Sequence, residues 1–463
     1  MILLIYDQCE INKGTDNMNR REFLTGSAAG TVALLTGITG CRDSQNDATE
    51  KHPSVTNQDS KLAGLTLEEL RERHRYYLFD DFLPFLEKYV IDHKYGGFTC
   101  NTDRDGTNIT QNKKTWYEGR GIWVYSFLYN KIAREQKYLN IASKSVEFIL
   151  KNEPKGDTLY SEEFTREGKP LTEPSTSIYG DLFVANGFSE YSKAIRDDAY
   201  WQKAKALLFK CLKIYDNPDY SFHADYGPEV PPFKGERVLG HWMIMLRLVT
   251  QMLEFKTDPE LEQVADRCVD ALMNKHYIPD YKLMNEVLNH DMTRAESGFS
   301  QFVSIGHAIE CLWMVMAEAL RRKDKSMFDR AAERFKFHVE VAWDDVYAGV
   351  FHNFIHVDNN IWKIEKALWA QEEVLIGLMM IIEHTGTQWA KDWYARMWNY
   401  VTDKFPLEQY GYPIWILYAD RKVTFESHYD RVGNFHHPRH LMLNMLSLDR
   451  MIKRKGRISG YFG

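Results

Sequence analysis

The sequence predicts an all-α protein, an (α/α)6 barrel of six helical hairpins with short β-hairpins gathered on one rim. Three observations predict it. First, apolar residues recur at helical spacing: Ile309, Leu312, Trp313, Met316 and Leu320 make one stripe, and Val374, Leu375, Leu378 and Ile381 another. Second, strand-like alternation is confined to short segments rich in glycine and aromatic residues, and those segments recur. They begin near residues 95, 159, 220, 281, 346 and 412, with spacings between 61 and 66. Third, a helix-like stretch begins about 20 residues after each start. A period of that size holds two helices of ordinary length plus a loop. Six units fill the chain from about 65 to 455, and the repeated hairpins favour a closed ring over an open solenoid. The inner helix of each unit would then line a central cavity, which makes polar residues on those helices candidates for chemistry.

In chain order, the first unit opens with Gly96, Gly97 and Phe98, runs through 102–106, and continues into 116–123 with Glu118, Gly119, Arg120 and Trp123. The second opens with 159–168. The third begins at 220–223 and leads to Arg237, His241 and Trp242. The fourth begins at 281–286 and leads to Gly306, His307, Glu310 and Trp313. The fifth begins at 346–351 and leads to Lys366, Trp369, Gln371, Glu372 and Glu373. The sixth begins at 412–417, which holds Trp415, and leads to Phe435, His436, His437, Pro438 and Arg439. These charged and imidazole groups sit inside strongly apolar helices, where burial is costly unless they are paired.

The chain has 463 residues with 58 basic and 65 acidic side chains, a formal net charge of −7, which argues against nucleic acid as the main partner. Hydrophobic residues make up 44%, enough for a large core. Aromatic residues make up 14%, with 12 Trp, 26 Tyr and 25 Phe, a composition suited to stacking sugar faces or to an aromatic core. Residues 1–41 read as an export address: Arg20-Arg21 resembles a twin-arginine signal, a weakly apolar stretch follows from 25 to 38, and 38–41 resembles a lipoprotein cleavage box ending at Cys41. Met18 is a candidate true start. Residues 42–63 form a flexible polar linker, and 64–463 form a single barrel domain. The expected location is exported, periplasmic or membrane-anchored, with the membrane touched only through a lipid at Cys41. Cys100, Cys211, Cys268 and Cys311 are widely spaced and read as buried free thiols. None of the 16 His has zinc-finger or other evident ligand spacing, and phosphate-loop, dinucleotide, zinc-protease and nucleophile-elbow motifs are absent from the sequence.

His307 and Glu310 lie three apart, hence on one helix face, and a carboxylate there would orient the ring and raise its basicity. The competing reading is a core histidine satisfied by a neighbouring acid. His436 precedes Pro438 and reads as lying on a turn. First-to-last closure of the ring would bring it near His307, with His437 as a rival. Two imidazoles on opposite faces of one carbon are what inversion by proton transfer requires. Arg120 follows Gly119, which lets backbone approach closely; its guanidinium suits an enolate-like oxygen or an ion pair. Trp369 and Trp415 are candidate sugar platforms or core residues.

At these residues the sequence resembles the N-acylglucosamine 2-epimerase family over about 95–445. The resemblance rests on Gly96-Gly97-Phe98 with Asp103 to Gly106, on Gly119-Arg120 with Trp123, and on 243–251. It rests most specifically on Gly306-His307 with Glu310 and Trp313, then on Lys366 with Trp369 and Glu373, and on 435–439. It implies an (α/α)6 barrel enzyme without metal or redox cofactor that epimerises C2 of a reducing sugar, an N-acylhexosamine or related hexose, through an enediolate. It implies His307 and His436 as the acid/base pair, Arg120 as the family arginine, and His241, Glu310 and Trp369 as sugar contacts, with Glu373 and Trp415 added as substrate-binding candidates. Residues 435–439 sit closer to the N-acylglucosamine branch than to the disaccharide branch. A small-molecule sugar is the expected partner, and a homodimer is compatible with the sequence. The alternatives are an aldose–ketose isomerase or disaccharide 2-epimerase, a glycoside hydrolase on the same barrel using paired carboxylates among Glu118, Glu286, Glu310 and Glu373, and a non-catalytic sugar-binding lipoprotein.

Overall fold

Each apolar stripe of the sequence becomes a helix, and the helices alternate between an inner and an outer layer. The computed structural model describes residues 61–224, 233–235, 237–296, 298–407, 409–410, 412–413, 416–417 and 433–462. These belong to one unit, Asn57–Gly463; a second, Met1–Thr56, lies outside the described residues, and with it the export address, Cys41 and nearly all of the 42–63 linker. Trp415 also lies outside them.

In chain order the helices are α1 (Leu67–Tyr76), α2 (Leu83–Tyr89), α3 (Thr115–Phe127), α4 (Gln136–Lys151), α5 (Tyr179–Ile195), α6 (Asp198–Tyr215), α7 (Leu239–Phe255), α8 (Pro259–Asp270), α9 (Ile305–Arg322), α10 (Lys325–Ala342), α11 (Leu368–Thr385), α12 (Gln388–Lys404) and α13 (His436–Lys453). A π-helical stretch, Tyr77–Phe82, joins α1 to α2. The inner helices are α3, α5, α7, α9, α11 and α13, and each packs on the next. Their partners in the outer layer are α4, α6, α8, α10, α12 and, for α13, α1. The first helix of the domain thus packs on its last, as closure of six hairpins into an (α/α)6 barrel requires. The side chain of Asn434 adds to this by donating to Tyr117 O at 2.9 Å.

The layers differ as burial demands. In α7 every residue from Leu239 to Leu253 is buried, because it is covered on both sides. In the outer helix α8 only Leu261, Val264, Ala265 and Cys268 are buried, a single inward stripe. The four cysteines of the domain are free and buried, as expected. No helix among the described residues is long and apolar enough to cross a membrane.

The two ends of the barrel are built differently. Inner-to-outer links are short: α5, α9 and α11 end on left-handed Arg196 (φ 57°), Lys323 (φ 59°) and Gly386 (φ 66°). Asp197 and Asp324 then cap α6 and α10 through their side chains. Outer-to-inner links are the long excursions that the sequence marked with glycine and aromatic residues. A two-residue strand precedes α3, α7, α9 and α11, and each pairs antiparallel with a strand of the following excursion: Lys113–Lys114 with Glu163–Phe164, Arg237–Val238 with Val287–Leu288, Val303–Ser304 with Asn353–His356, and Lys366–Ala367 with Ile416–Leu417. The first amides of α3, α7 and α9 donate to Glu162 O, Glu286 O and His352 O. Neighbouring excursions are therefore stitched together along the rim where the inner helices begin, the expected place for the β-hairpins.

The repeats also share an internal tie. A side chain on the first turn of an inner helix accepts from an amide about twenty residues earlier: Phe98 N to Glu118 Oε1 at 2.8 Å, Tyr160 N to Asp181 Oδ2 at 3.1 Å, and Val350 N to Gln371 Oε1 at 2.8 Å. Buried lysines repeat as well, Lys113 on Asp92 and Lys366 on Asp344. Glu118 and Lys366 thus hold excursions to helices. Glu118, buried and also bonded to Ser145 at 2.5 Å, is lifted to about 7 by that burial and has no part in a paired-carboxylate site.

Candidate active site

The sequence-predicted residues collect at the start of the inner helices, in two tiers. His241 is the third residue of α7, His307 the third of α9, Trp369 the second of α11 and His436 the first of α13. One turn deeper lie Arg120 on α3, Glu310 on α9, Glu373 on α11 and Arg439 on α13. His436 is helical rather than on a turn. None of the six inner helices carries a side-chain cap. Their positive N-terminal ends therefore face the site rim, a field that favours negative charge there.

The two imidazoles meet at Trp369. Its ring centroid lies 5.4 Å from that of His307 and 5.2 Å from that of His436. Glycine makes the meeting possible: a Cβ on Gly306 would come within 2.2 Å of the indole, and one on Gly240 within 3.4 Å of the His307 ring. Gly306→Ala is expected to push Trp369 off its seat. Activity should fall by at least about tenfold, with an overpacking cost of about 1–3 kcal/mol read by urea unfolding. Unchanged kcat and KM in this variant would remove Trp369 from the site.

Each imidazole has its own carboxylate. His307 Nδ1 lies 3.0 Å from Glu286 Oε1. This corrects the expected pairing with Glu310: the partner comes from the excursion ahead of α9, not from the same helix face. Burial alone would lower His307, but the Glu286 carboxylate, with Glu310 behind it, outweighs burial and holds the ring above the ordinary imidazole value. His436 Nδ1 lies 2.8 Å from Glu373 Oε1. Burial, with the cations of Arg439 and Arg120 adding to it against Glu310, holds His436 well below the ordinary value. In both rings Nδ1 is the nitrogen that meets the carboxylate, which fixes how each imidazole is turned.

Glu373 spends both oxygens inside the protein. Oε1 meets His436 and Arg439, and Oε2 accepts from Trp313 Nε1 at 2.7 Å. It holds His436 rather than offering itself to a sugar. Glu310 Oε1 accepts from Arg439 at 2.5 Å, while its Oε2, buried, has no hydrogen-bond partner among the described residues. These ligating atoms of Glu310, Glu373 and His436 lie within 4.8 Å of one another, a cation-sized gathering, and Arg439 already supplies the cation.

Arg120 is buried, with its guanidinium 4.2 Å from the Phe183 ring, 4.7 Å from Trp116 and 5.1 Å from Phe435. Its Nε has no partner among the described residues, and no ion pair there includes it, which removes the structural ion-pair reading for them. Gly119 does allow a close approach: a Cβ there would meet the Phe183 backbone at 2.4 Å, so α3 and α5 touch. His241 is buried among Tyr179, Tyr215, Tyr220 and Phe222, and burial, then Arg237 and His307, pushes it down to about 3. Its Nδ1 has no partner among the described residues.

The rival His437 points elsewhere. Its Nδ1 bonds Glu372, and its ring meets Phe82 edge-on at 5.2 Å, on the side of the outer layer. Sequence reasoning missed the role of Arg439, and also His352. That ring lies 6.0 Å from Trp369, with Nδ1 3.0 Å from Glu365 Oε1. It missed Tyr179, whose ring reaches both Trp116 and His241. The signal for Tyr179 was its place, about twenty residues into the second unit.

The profile of the N-acylglucosamine 2-epimerase (GlcNAc 2-epimerase) family matches residues 96–438. The N-acylglucosamine 2-epimerase of Bos taurus is 24% identical over 393 residues, 81% of this chain and 90% of the relative. The cellobiose 2-epimerase of Dictyoglomus turgidum is 22% identical over 370 residues, 73% of this chain and 88% of the relative. The solved cellobiose 2-epimerase of Bacillus thermoamylovorans superposes with a TM-score of 0.70 at 16% identity, covering 82% of this chain and 99% of that one.

Proposed function

The chain belongs to the N-acylglucosamine 2-epimerase family of isomerases, and from that premise we propose that it inverts C2 of an opened reducing sugar, an N-acylhexosamine first, by proton transfer between His436 and His307. The observation that carries this is the meeting of the two imidazoles at Trp369, each with Nδ1 on its own buried carboxylate.

The sugar opens to its aldehyde, and the carbonyl at C1 acidifies the C2 proton. In one direction His436, held neutral by burial, takes that proton on Nε2. The C2–H electron pair forms the C1–C2 double bond, and the carbonyl electrons move to the C1 oxygen. Arg120, a buried cation without an internal counter-ion among the described residues, would stabilise that developing charge. His307, held protonated by Glu286, then gives its proton to the opposite face of C2 as the carbonyl re-forms. The reverse reaction exchanges the roles, as microscopic reversibility requires. Glu310 Oε2 and His241 Nδ1, buried and without hydrogen-bond partners among the described residues, would take sugar hydroxyls, and Trp369 would offer its ring as a platform.

The paired-carboxylate hydrolase has less support. Glu286 and Glu373 are bonded to the two histidines, Glu118 to Phe98 and Ser145, and Glu310 to Arg439, so no two face an open gap between them. The test is incubation with N-acylhexosamines, hexoses and cellobiose in deuterated water. Epimerisation places deuterium at C2 of the product. Deuterium at C1 of a ketose marks an isomerase instead, new reducing ends without deuterium mark a hydrolase, and no change with any sugar sinks the proposal.

A further inference from the structure

On the other side of α13 from the site lies a second group of ligating side chains that the proton transfer does not use. Glu372 on α11 and His437 and His440 on α13 bring one carboxylate oxygen and two imidazole nitrogens within 4.8 Å of one another. His437 Nδ1 bonds Glu372 Oε1, and His440 Nδ1 lies 3.7 Å from that same oxygen. His440 is 2% exposed, and neither of its ring nitrogens has a hydrogen-bond partner among the described residues. Buried polar atoms left this way are rare and ask for a missing partner.

The neighbouring cluster shows what is missing. Glu372 and Glu373 are adjacent on α11, and each faces a histidine of α13. Around Glu373 the positive charge is Arg439, which also reaches Glu310. Around Glu372 no lysine or arginine makes an ion pair among the described residues. The pocket is closed by another imidazole, His74 on α1, edge-on to His440 with ring centroids 5.4 Å apart. His74 donates its Nδ1 proton to Leu70 O at 2.8 Å, and its Nε2 lies 3.4 Å from the Tyr394 hydroxyl.

We propose that Glu372, His437 and His440 bind a divalent transition-metal ion of the zinc class. Two imidazoles and one carboxylate form a donor set that suits such an ion, with a fourth position left for water. His437 and His440, three apart on α13, reach it from one helix face, and Glu372 reaches it from α11. The ion ties the last inner helix to its neighbour beside α1, where the ring closes, and so backs the helix start that carries His436.

The test uses the full chain, stripped with a chelator and titrated with Co2+ and Zn2+. One equivalent is expected to bind, with the visible absorption of four-coordinate Co2+ and a rise in Tm. His440→Gln and Glu372→Gln should each weaken binding by at least roughly 100-fold, more than loss of an outer partner costs, while His436→Gln leaves it intact. Near-ultraviolet circular dichroism shows whether each variant is folded, and either folded variant alone decides the matter. The site is overturned if the folded parent takes up no ion, if a folded His440→Gln or Glu372→Gln variant binds as well as the parent, or if only His436→Gln loses the ion.

Discussion

Removing one imidazole should stop inversion while leaving proton exchange alive on one face. His307→Ala and His436→Ala are each expected to lower kcat for epimerisation by roughly 10²–10⁴-fold, the usual contribution of a positioned acid or base. On this scheme His307→Ala would keep His436, 5.2 Å from Trp369, to serve one face of C2. In deuterated water it should therefore wash deuterium into one epimer without converting it. His436→Ala should do the same for the other epimer only. Variants damaged merely in structure would lose exchange in both epimers together. Full turnover in both variants would end the scheme. The pH profile gives a second reading of the same claim. Turnover in one direction needs His436 neutral and His307 protonated. His436 is held below the ordinary imidazole value, so the acid limb should lie below it; His307 is held above, so the alkaline limb should lie above it. Glu286→Gln removes the charge that raises His307, and should draw the alkaline limb to lower pH while leaving the acid limb in place.

The ring was legible because each excursion repeats a local signature. Gly97 and Gly349 both stand at left-handed φ, 84° and 83°, and the pairs Phe98–Glu118 and Val350–Gln371 recur at nearly the same spacing. What failed was the choice of partner across elements. Helical periodicity selected Glu310 for His307 because the two share a face, but the carboxylate that meets the ring, Glu286, arrives from an excursion. Nothing local in the sequence encodes that contact. The choice between His436 and His437 was open for a related reason. Successive residues on a helix point about 100° apart, so the two rings meet different neighbours. Only the packing of α11 on α13 decides which, and it does so through Glu373 and Glu372, one carboxylate for each ring. Arg439 was visible in its motif, but its double duty between Glu310 and Glu373 depends on three helices meeting.

That double duty should make Arg439 the most costly single side chain of the site to lose. It is buried, 4.5 Å above the Phe435 ring and 5.3 Å from Trp313, and one guanidinium nitrogen serves both carboxylates. Arg439→Met keeps much of the volume but leaves Glu310 and Glu373 facing each other without a cation. Breaking a buried pair from one side costs about 3–5 kcal/mol, because the remaining charge stays desolvated. Urea unfolding at neutral pH should show a loss of that size. Its pH dependence separates charge from packing. Without Arg439, the Glu373 carboxyl, which burial already holds above the ordinary carboxylate value, moves further above its unfolded value. A group whose folded value is raised contributes stability at low pH and loses it as pH rises through that value. The deficit should therefore shrink on acidification from about pH 8 to about pH 5, and adding Glu373→Gln should recover part of it at neutral pH. A deficit that is the same at both pH values would mean the arginine acts by filling space, and the electrostatic account of how His436 is held would fail with it.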